Sequence, residues 1–160
     1  MDMVKGYMSE PSVIIDAESS VLATVKLMKE NKVGSILVTE NGEITGIFTE
    51  TDLLRKVAAD EKSMSSIKVS SVMSKPLVSI DVEAKMIKAF YEMQQRNIRH
   101  LTVTEGGIVV GILSIKDIAN FYIGKFGQKA GKVSKENPSK DGADSEENKE
   151  DKEDKEDKQE

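Results

Sequence analysis

The sequence predicts an α+β fold made of two β-α-β-β-α repeats that pack as a pseudo-two-fold pair, followed by a disordered, charged C-terminal tail. Two observations lead to this prediction. The chain aligns with itself at an offset of 65 residues, and the gapless pairing of 4–55 with 69–120 gives 16 identities over 52 positions. Each copy also shows the same order of short apolar runs and helical spacing. We therefore place the repeats at 1–62 and 63–126 and the tail at 127–160.

The first half of each repeat is predicted to be a strand followed by a helix. A Met-Ser-x-Pro sequence leads into a short apolar strand at 13–15 and again at 78–80. A helix follows at about 19–32 and 84–97, because apolar residues recur there every three or four positions.

The second half of each repeat is predicted to be a hairpin that leads into another helix. The apolar run 35–39 is short enough to be a buried strand. Asn41-Gly42 then supplies a two-residue turn in which both positions need a positive φ, and Gly106-Gly107 does the same in the second copy. The returning strands at 43–48 and 108–113 lead into helices that open near Thr49 and Ser114.

The distribution of charge separates the tail from the rest of the chain. Residues 1–126 carry 15 Lys and Arg against 16 Asp and Glu, whereas 127–160 carry 8 Lys against 12 acids. A nearly neutral body is a poor nucleic-acid binder, because that function needs a basic face. The tail has few apolar residues and ends in three Glu-Asp-Lys triplets at 150–158, so we expect it to be disordered. It is either a solubilising segment or a docking segment for a partner.

Composition also excludes several kinds of chemistry. The chain has no Cys and one His, so thiol catalysis, disulfides and two-His zinc sites are ruled out. It shows no signal peptide and no apolar run long enough to span a bilayer, which favours a soluble, cytoplasmic protein. There is no phosphate-binding P-loop or dinucleotide-binding glycine motif, and only three residues precede the first repeat. We therefore expect no enzyme activity, no catalytic residues and no metal site.

The segment that closes each hairpin carries the candidate binding chemistry. Thr49 and Ser114 stand at predicted helix N-caps, and Asp52 and Asp117 follow three residues later. One interpretation is a capping box, in which hydroxyl and acid satisfy backbone donors. The other is a nucleotide site, in which the helix start and the hydroxyl hold phosphate while the carboxylate accepts from ribose hydroxyls. The residues alone leave both interpretations open.

A second feature is the sequence Arg96-Asn97-Ile98-Arg99-His100-Leu101, where a helix passes into a strand. Arg99 and His100 are able to supply positive charge to a phosphate. Alternatively, they are exposed residues at the start of a strand. The first repeat has Gly34-Ser35 at the matching positions and offers no cation there.

Residues 4–122 resemble a pair of CBS (cystathionine beta-synthase) domains, also called a Bateman module. The resemblance rests on Val-x-x-x-Met-Ser-x-Pro at the start of both repeats, on Asn-Ile-Arg-His-Leu-Thr-Val at 97–103, and on the Gly-Ile-Phe-Thr-x-Thr-Asp and Gly-Ile-Leu-Ser-x-x-Asp segments. Members of this family bind adenosyl ligands, such as AMP, ADP, ATP or S-adenosylmethionine, in two clefts between the repeats. The resemblance thus implies a stand-alone regulatory module for energy sensing, with an adenine nucleotide as regulatory ligand.

The resemblance also implies which residues bind the ligand. Asp52 and Asp117 would each hold a ribose, and the motif hydroxyls would meet phosphate. Three basic groups of the second repeat, Arg99, His100 and Lys116, would reach the phosphates in the Asp52 cleft. Adenine would lie against the first strand of a repeat. The resulting candidates are Val13, Ile14, Ser35, Thr49, Thr51, Asp52, Ser79, Arg99, His100, Ile112, Ser114, Lys116 and Asp117.

Two further expectations follow from the resemblance. Because Gly34 and Ser35 offer no cation, the Asp52 cleft should be the better phosphate binder. The module should form a homodimer, with Ala89, Phe90 and Met93 as contacts, and should report to an effector protein whose identity the sequence does not give. The alternative function is a dimerisation scaffold that needs no ligand.

Overall fold

The computed structural model of the protein describes residues 2–11 and 13–133. The order β-α-β-β-α occurs twice, as the repeat predicted, and a short 3₁₀ helix precedes each copy (Val4–Gly6 and Val69–Ser71). The elements of the first copy are β1 (Ile14–Asp16), α1 (Val21–Asn31), β2 (Ser35–Glu40), β3 (Glu43–Thr49) and α2, which begins as Glu50–Asp52 and continues as a π-helical segment, Leu53–Ala58. Those of the second copy are β4 (Ser79–Asp81), α3 (Met86–Arg96), β5 (His100–Glu105), β6 (Ile108–Ser114) and α4 (Ile115–Val133).

Each repeat forms its own three-stranded sheet with the same topology. The first strand lies parallel to the second, and the second pairs antiparallel with the third, in the orders β1-β2-β3 and β4-β5-β6. The predicted hairpin turns are confirmed, since Asn41 and Gly42 have φ of 53° and 84°, and Gly106 and Gly107 have φ of 58° and 85°. Only a few residue types adopt these values readily, which is why the turns were visible in the sequence.

The helix ends differ from the prediction by one or two residues, except at the C-terminal end of α4. Helix α1 starts after Ser20, whose hydroxyl accepts a hydrogen bond from Ala23 N at 3.1 Å, and it stops at Lys32 in the left-handed region. Helix α4 continues to Val133, so the predicted tail boundary at 127 is too early. The rest of that predicted disordered segment, 134–160, lies outside the described residues.

Two short segments cross between the repeats, and we call them the crossing segments (2–9 and 67–74). Val4 N donates to Ala84 O at 2.9 Å, and the Val4 side chain is fully buried in the core of the second repeat. In the opposite direction, Val69 N donates to Ser19 O at 2.8 Å, and Val69 is fully buried in the core of the first repeat. Each repeat thus completes the other's core, an exchange that a boundary at 62/63 does not capture.

The crossing segments approach the third strand of the opposite repeat closely. Ser9 pairs with Ile112 and Ser74 pairs with Ile47, each through two backbone hydrogen bonds. This approach depends on a glycine in each strand. A Cβ at Gly111 would lie 2.8 Å from Met8 Sδ and 2.9 Å from Ser9 O, and a Cβ at Gly46 would collide with the Met73 side chain.

The surface of the second repeat corrects one expectation about dimer contacts. Ala89 and Met93 are fully buried in the core of the second repeat, so they are not available to another chain, and Phe90 is partly buried against the same core. They are buried because they lie on the face of α3 that packs on its own sheet. The exposed apolar residues of this helix are Ile87 and Tyr91 instead. Among the described helices, none combines the length and the apolar character that a bilayer crossing requires.

Candidate ligand-binding clefts

Both helix-capping segments form the reciprocal hydrogen bonds of a capping box. Thr49 Oγ1 accepts from Asp52 N at 3.3 Å, while Asp52 Oδ2 accepts from Thr49 N at 3.0 Å and from Thr49 Oγ1 at 2.9 Å. Ser114 and Asp117 repeat this pattern, with the Asp117 Oδ2 bonds at 2.8 and 2.6 Å. The capping interpretation is therefore confirmed at both helices. It occupies only one oxygen of each carboxylate.

The second carboxylate oxygen of Asp52 is also engaged. Asp52 Oδ1 lies 2.7 Å from Lys56 Nζ and accepts a hydrogen bond of 2.7 Å from Ser74 Oγ. The Lys56 ammonium donates in turn to Ser74 Oγ at 3.0 Å. Asp52 is only 4% exposed, so its charge is compensated within the protein rather than by water.

Asp117 has a different environment although it occupies the same position in the repeat. Within the described residues, no hydrogen bond or ion pair reaches Asp117 Oδ1, and the residue is partly exposed. Four residues further along α4, where the first repeat has Lys56, the second has the apolar Phe121, which is buried in the core. Asp117 Oδ1 is therefore an acceptor that, among the described residues, has no partner of the kind that Lys56 provides for Asp52.

The first cleft is a cavity of about 170 Å³ that contains Asp52. It brings together five predicted residues from both repeats, namely Thr49, Thr51, Asp52, Arg99 and His100. Arg55 also lines it and was not among the predicted residues.

The second cleft is a cavity of about 420 Å³ that contains Asp117. The predicted residues that line it are Val13, Ser35, Arg99, His100, Ile112, Ser114, Lys116 and Asp117. Lys32 and Glu50 line it as well, and the sequence analysis missed both. Ile14 and Ser79 line neither cleft; Ile14 is 43% exposed and the Ser79 hydroxyl lies 2.6 Å from Thr102 Oγ1.

The cations are distributed differently from what the sequence led us to expect. Lys116 lies in the second cleft and not in the Asp52 cleft, because it belongs to the same capping segment as Asp117. Three cations line the second cleft, Lys32, Lys116 and Arg99, beside the acids Glu10 and Glu50. Arg99 serves both clefts because it stands on the bend before β5, between the two helix starts.

His100 lies at the boundary of the two clefts and is largely buried. Burial lowers the pKa of His100 below its ordinary value of 6.5, because a protonated ring loses hydration there. The carboxylates of Glu50, Asp117 and Asp52 oppose this shift, and the Arg99 charge adds to it. The net effect favours a neutral ring in the folded protein.

The lowered pKa of His100 makes stability depend on pH. The unfolded chain binds the His100 proton more readily than the folded chain, so the free energy of unfolding falls as the pH falls from 6.5 through the folded pKa. We expect His100→Gln to reduce the loss of Tm between about pH 7.5 and about pH 5.5. Thermal denaturation followed by circular dichroism at the two pH values tests this. An unchanged loss of Tm in the variant would show that other groups are responsible.

Comparisons with known proteins agree with this architecture. The family model for the CBS domain matches residues 4–59 and 69–124. The CBS domain-containing protein CBSX3, mitochondrial, of Arabidopsis thaliana is 33% identical over 106 residues, which cover 63% of this chain and 52% of that protein. The chain thus spans about half the length of CBSX3.

Solved structures share the fold. The hexameric CBS-CP12 protein from bloom-forming cyanobacteria superposes with a TM-score of 0.70 at 31% identity, covering 79% of this chain and 74% of that one. The CBS domain pair of protein MJ0100, in complex with 5′-methylthioadenosine and S-adenosyl-L-methionine, has a TM-score of 0.68 over 77% of this chain and 97% of that one. At 21% identity, the second likeness concerns the fold alone. The family model matches two segments, and the β-α-β-β-α order occurs once in each of them. The chain therefore belongs to the CBS domain family and contains two CBS domains in tandem.

Proposed function

We propose that this CBS pair is a regulatory module that binds an adenosyl ligand between its two repeats and passes the occupancy on to a partner protein. The observation that carries the proposal is the composition of the second cleft. There a carboxylate with an unengaged oxygen, Asp117, lies among cations contributed by both repeats, Lys32 and Arg99.

The chemistry of this cleft matches the parts of an adenosyl nucleotide. A carboxylate only accepts hydrogen bonds, so Asp117 suits the two hydroxyls of a ribose. Phosphate oxygens need cations, which Lys32, Arg99 and Lys116 supply, and they favour the start of a long helix such as α4. Val13 and Ile112 offer apolar surface for the adenine ring.

The position of the ligand between the repeats supports a regulatory role. The second cleft takes its walls from the first repeat, through Lys32 and Ser35, and from the second, through Arg99 and Asp117. A ligand that touches both repeats favours the arrangement in which these groups converge, and it shifts the balance of arrangements by its difference in affinity. The fold accommodates such ligands, because the related MJ0100 pair is a complex with two adenosyl compounds.

Isothermal titration calorimetry with AMP, ATP and S-adenosylmethionine tests the proposal. We expect saturable binding of at least one of the three, because the second cleft contains both a diol acceptor and cations. Inosine monophosphate serves as a control for the adenine ring. Absence of saturable heat with all three ligands at about millimolar concentration, where binding is worth only about 4 kcal/mol, would contradict the proposal.

A dimerisation scaffold is a second candidate function, favoured by exposed apolar side chains on two helices that pack together. Ile87 and Tyr91 of α3 are 46% and 59% exposed, and Ile123 and Phe126 of α4 are 67% and 50% exposed. Exposed apolar residues in such a group are typical of a protein contact surface. This function needs no ligand, so it is the one that remains if calorimetry detects none.

A further inference from the structure

We infer that Lys56 and Ser74 use up the hydrogen-bonding capacity of the Asp52 carboxylate in the first cleft, so that the folded chain takes one adenosyl ligand, at Asp117, and not two. This inference rests on the proposed function and adds to it the choice of cleft. It also reverses the expectation that the Asp52 cleft is the better site.

The hydrogen-bonding capacity of the two carboxylates decides between the clefts. A carboxylate has about four lone-pair positions. Asp52 already accepts from four donors: Thr49 N and Thr49 Oγ1 at one oxygen, and Lys56 Nζ and Ser74 Oγ at the other. A ribose would bring two further hydroxyl donors to a group that has no position left for them.

Asp117 has the capacity that Asp52 lacks. It accepts from two donors, Ser114 N and Ser114 Oγ, and both bonds go to Oδ2. Two lone-pair positions remain on Oδ1, which is the number that the two hydroxyls of a ribose need. Ser9 matches Ser74 in the repeat and lines this cleft, but it makes no hydrogen bond to Asp117.

The Lys56 ammonium makes two hydrogen bonds in addition to its ion pair with Asp52. It donates to Ser74 Oγ at 3.0 Å and to Met73 O at 3.4 Å, so three acceptors surround it. Two of these acceptors belong to the crossing segment 67–74, which is packed into the core of the first repeat. A nucleotide would therefore have to displace a charge-assisted network at a carboxylate that is 4% exposed.

The difference between the clefts traces to one aligned pair of residues. Lys56 follows Asp52 by four positions on α2, whereas Phe121 follows Asp117 by four positions on α4. Phe121 packs edge-to-face against Tyr7 and Tyr122 and has no group that competes for the carboxylate. The first cleft is also the smaller one, at about 170 Å³ against about 420 Å³.

Calorimetric stoichiometry with AMP tests the inference. We expect one site per chain in the wild type, one site of about 10- to 100-fold weaker affinity in Asp117→Asn, and two sites in the double variant Lys56→Met/Ser74→Ala, which removes both donors from Asp52 Oδ1 while leaving its charge in place. Lys26→Met is the matched control, because Lys26 is exposed and lines neither cleft, and it should behave as the wild type. Two sites in the wild type, or a single site that Asp52→Asn weakens and Asp117→Asn does not, would overturn the inference. Failure of the wild type and of all variants to bind AMP, ATP or S-adenosylmethionine would count against the proposed function instead.

A measurement without ligand tests the Lys56 network by itself. We expect Lys56→Met and Asp52→Asn each to lower Tm by about 5 °C, and the double variant to lower it by clearly less than the sum, because the two side chains share one interaction. Additive changes in Tm would show that Lys56 does not engage Asp52 in solution, and this would overturn the inference whatever the ligand.

Discussion

Replacing Asp117 by Asn is expected to weaken AMP binding by about 10- to 100-fold. Asp117 Oδ1 is the unengaged acceptor of the second cleft, and the ribose hydroxyls are the donors that match it. Hydrogen bonds to a charged group contribute about 1.5–3 kcal/mol, and each 1.4 kcal/mol is a factor of ten in affinity. An Asn at this position keeps a carbonyl oxygen but loses the charge and presents an amide donor towards the ribose. Titration of both proteins with AMP under the same salt conditions measures the effect.

The Asp117→Asn experiment must separate binding from folding, because Asp117 also caps α4. The capping bonds from Ser114 go to a single oxygen, and an Asn carbonyl is able to accept them. We therefore expect a small change in Tm beside a large change in affinity. Asp60→Asn removes an acid that is exposed and paired with Lys62, so it controls for net charge. Equal affinities of Asp117→Asn and the wild type would exclude Asp117 as the ribose acceptor.

Much of the fold was predictable because its signals are local in sequence. The two-residue turns at Asn41-Gly42 and Gly106-Gly107 and the hydroxyl-x-x-acid caps each depend on neighbouring residues only, and the repeat at an offset of 65 residues shows each of these signals twice. A turn that needs positive φ or a helix start that needs an acceptor restricts the residue type wherever it occurs. These features therefore appeared in the structure at the predicted places.

The distribution of residues between the clefts was not predictable in the same way. Lys32 reaches the second cleft because α1 stops there in the left-handed conformation, two residues before Gly34-Ser35, the pair that aligns with Arg99-His100. Arg55 and Lys56 lie three and four residues after Asp52, so Arg55 lines the first cleft and Lys56 pairs with the Asp52 carboxylate. Which cations line the second cleft depends on how the two repeats pack together, and no local pattern carries that information.

Gly111→Ala in β6 is expected to destabilise the protein more than Gly46→Ala, the equivalent substitution in β3. The added Cβ would lie 2.9 Å from Ser9 O, and a backbone atom in the crossing segment 2–9 has little freedom to retreat while Val4 is fixed in the core. Overpacking of this kind costs about 1–3 kcal/mol, which corresponds to a fall in Tm of about 3–12 °C for a chain of this size. Gly46→Ala should cost less, because the obstructing atoms belong to the flexible Met73 side chain.

Gly124→Ala provides the control of opposite sign for this experiment. A Cβ at Gly124 meets nothing within 4 Å, and the residue lies inside α4, so the substitution should raise stability by about 0.5–1 kcal/mol.

Ser9 also lines the second cleft, so a shift of the crossing segment in Gly111→Ala should weaken AMP binding as well. A Gly111→Ala protein with unchanged Tm would show that the crossing segment is not held against β6. Loss of Tm with unchanged AMP affinity would show instead that the crossing segment stabilises the fold without shaping the cleft.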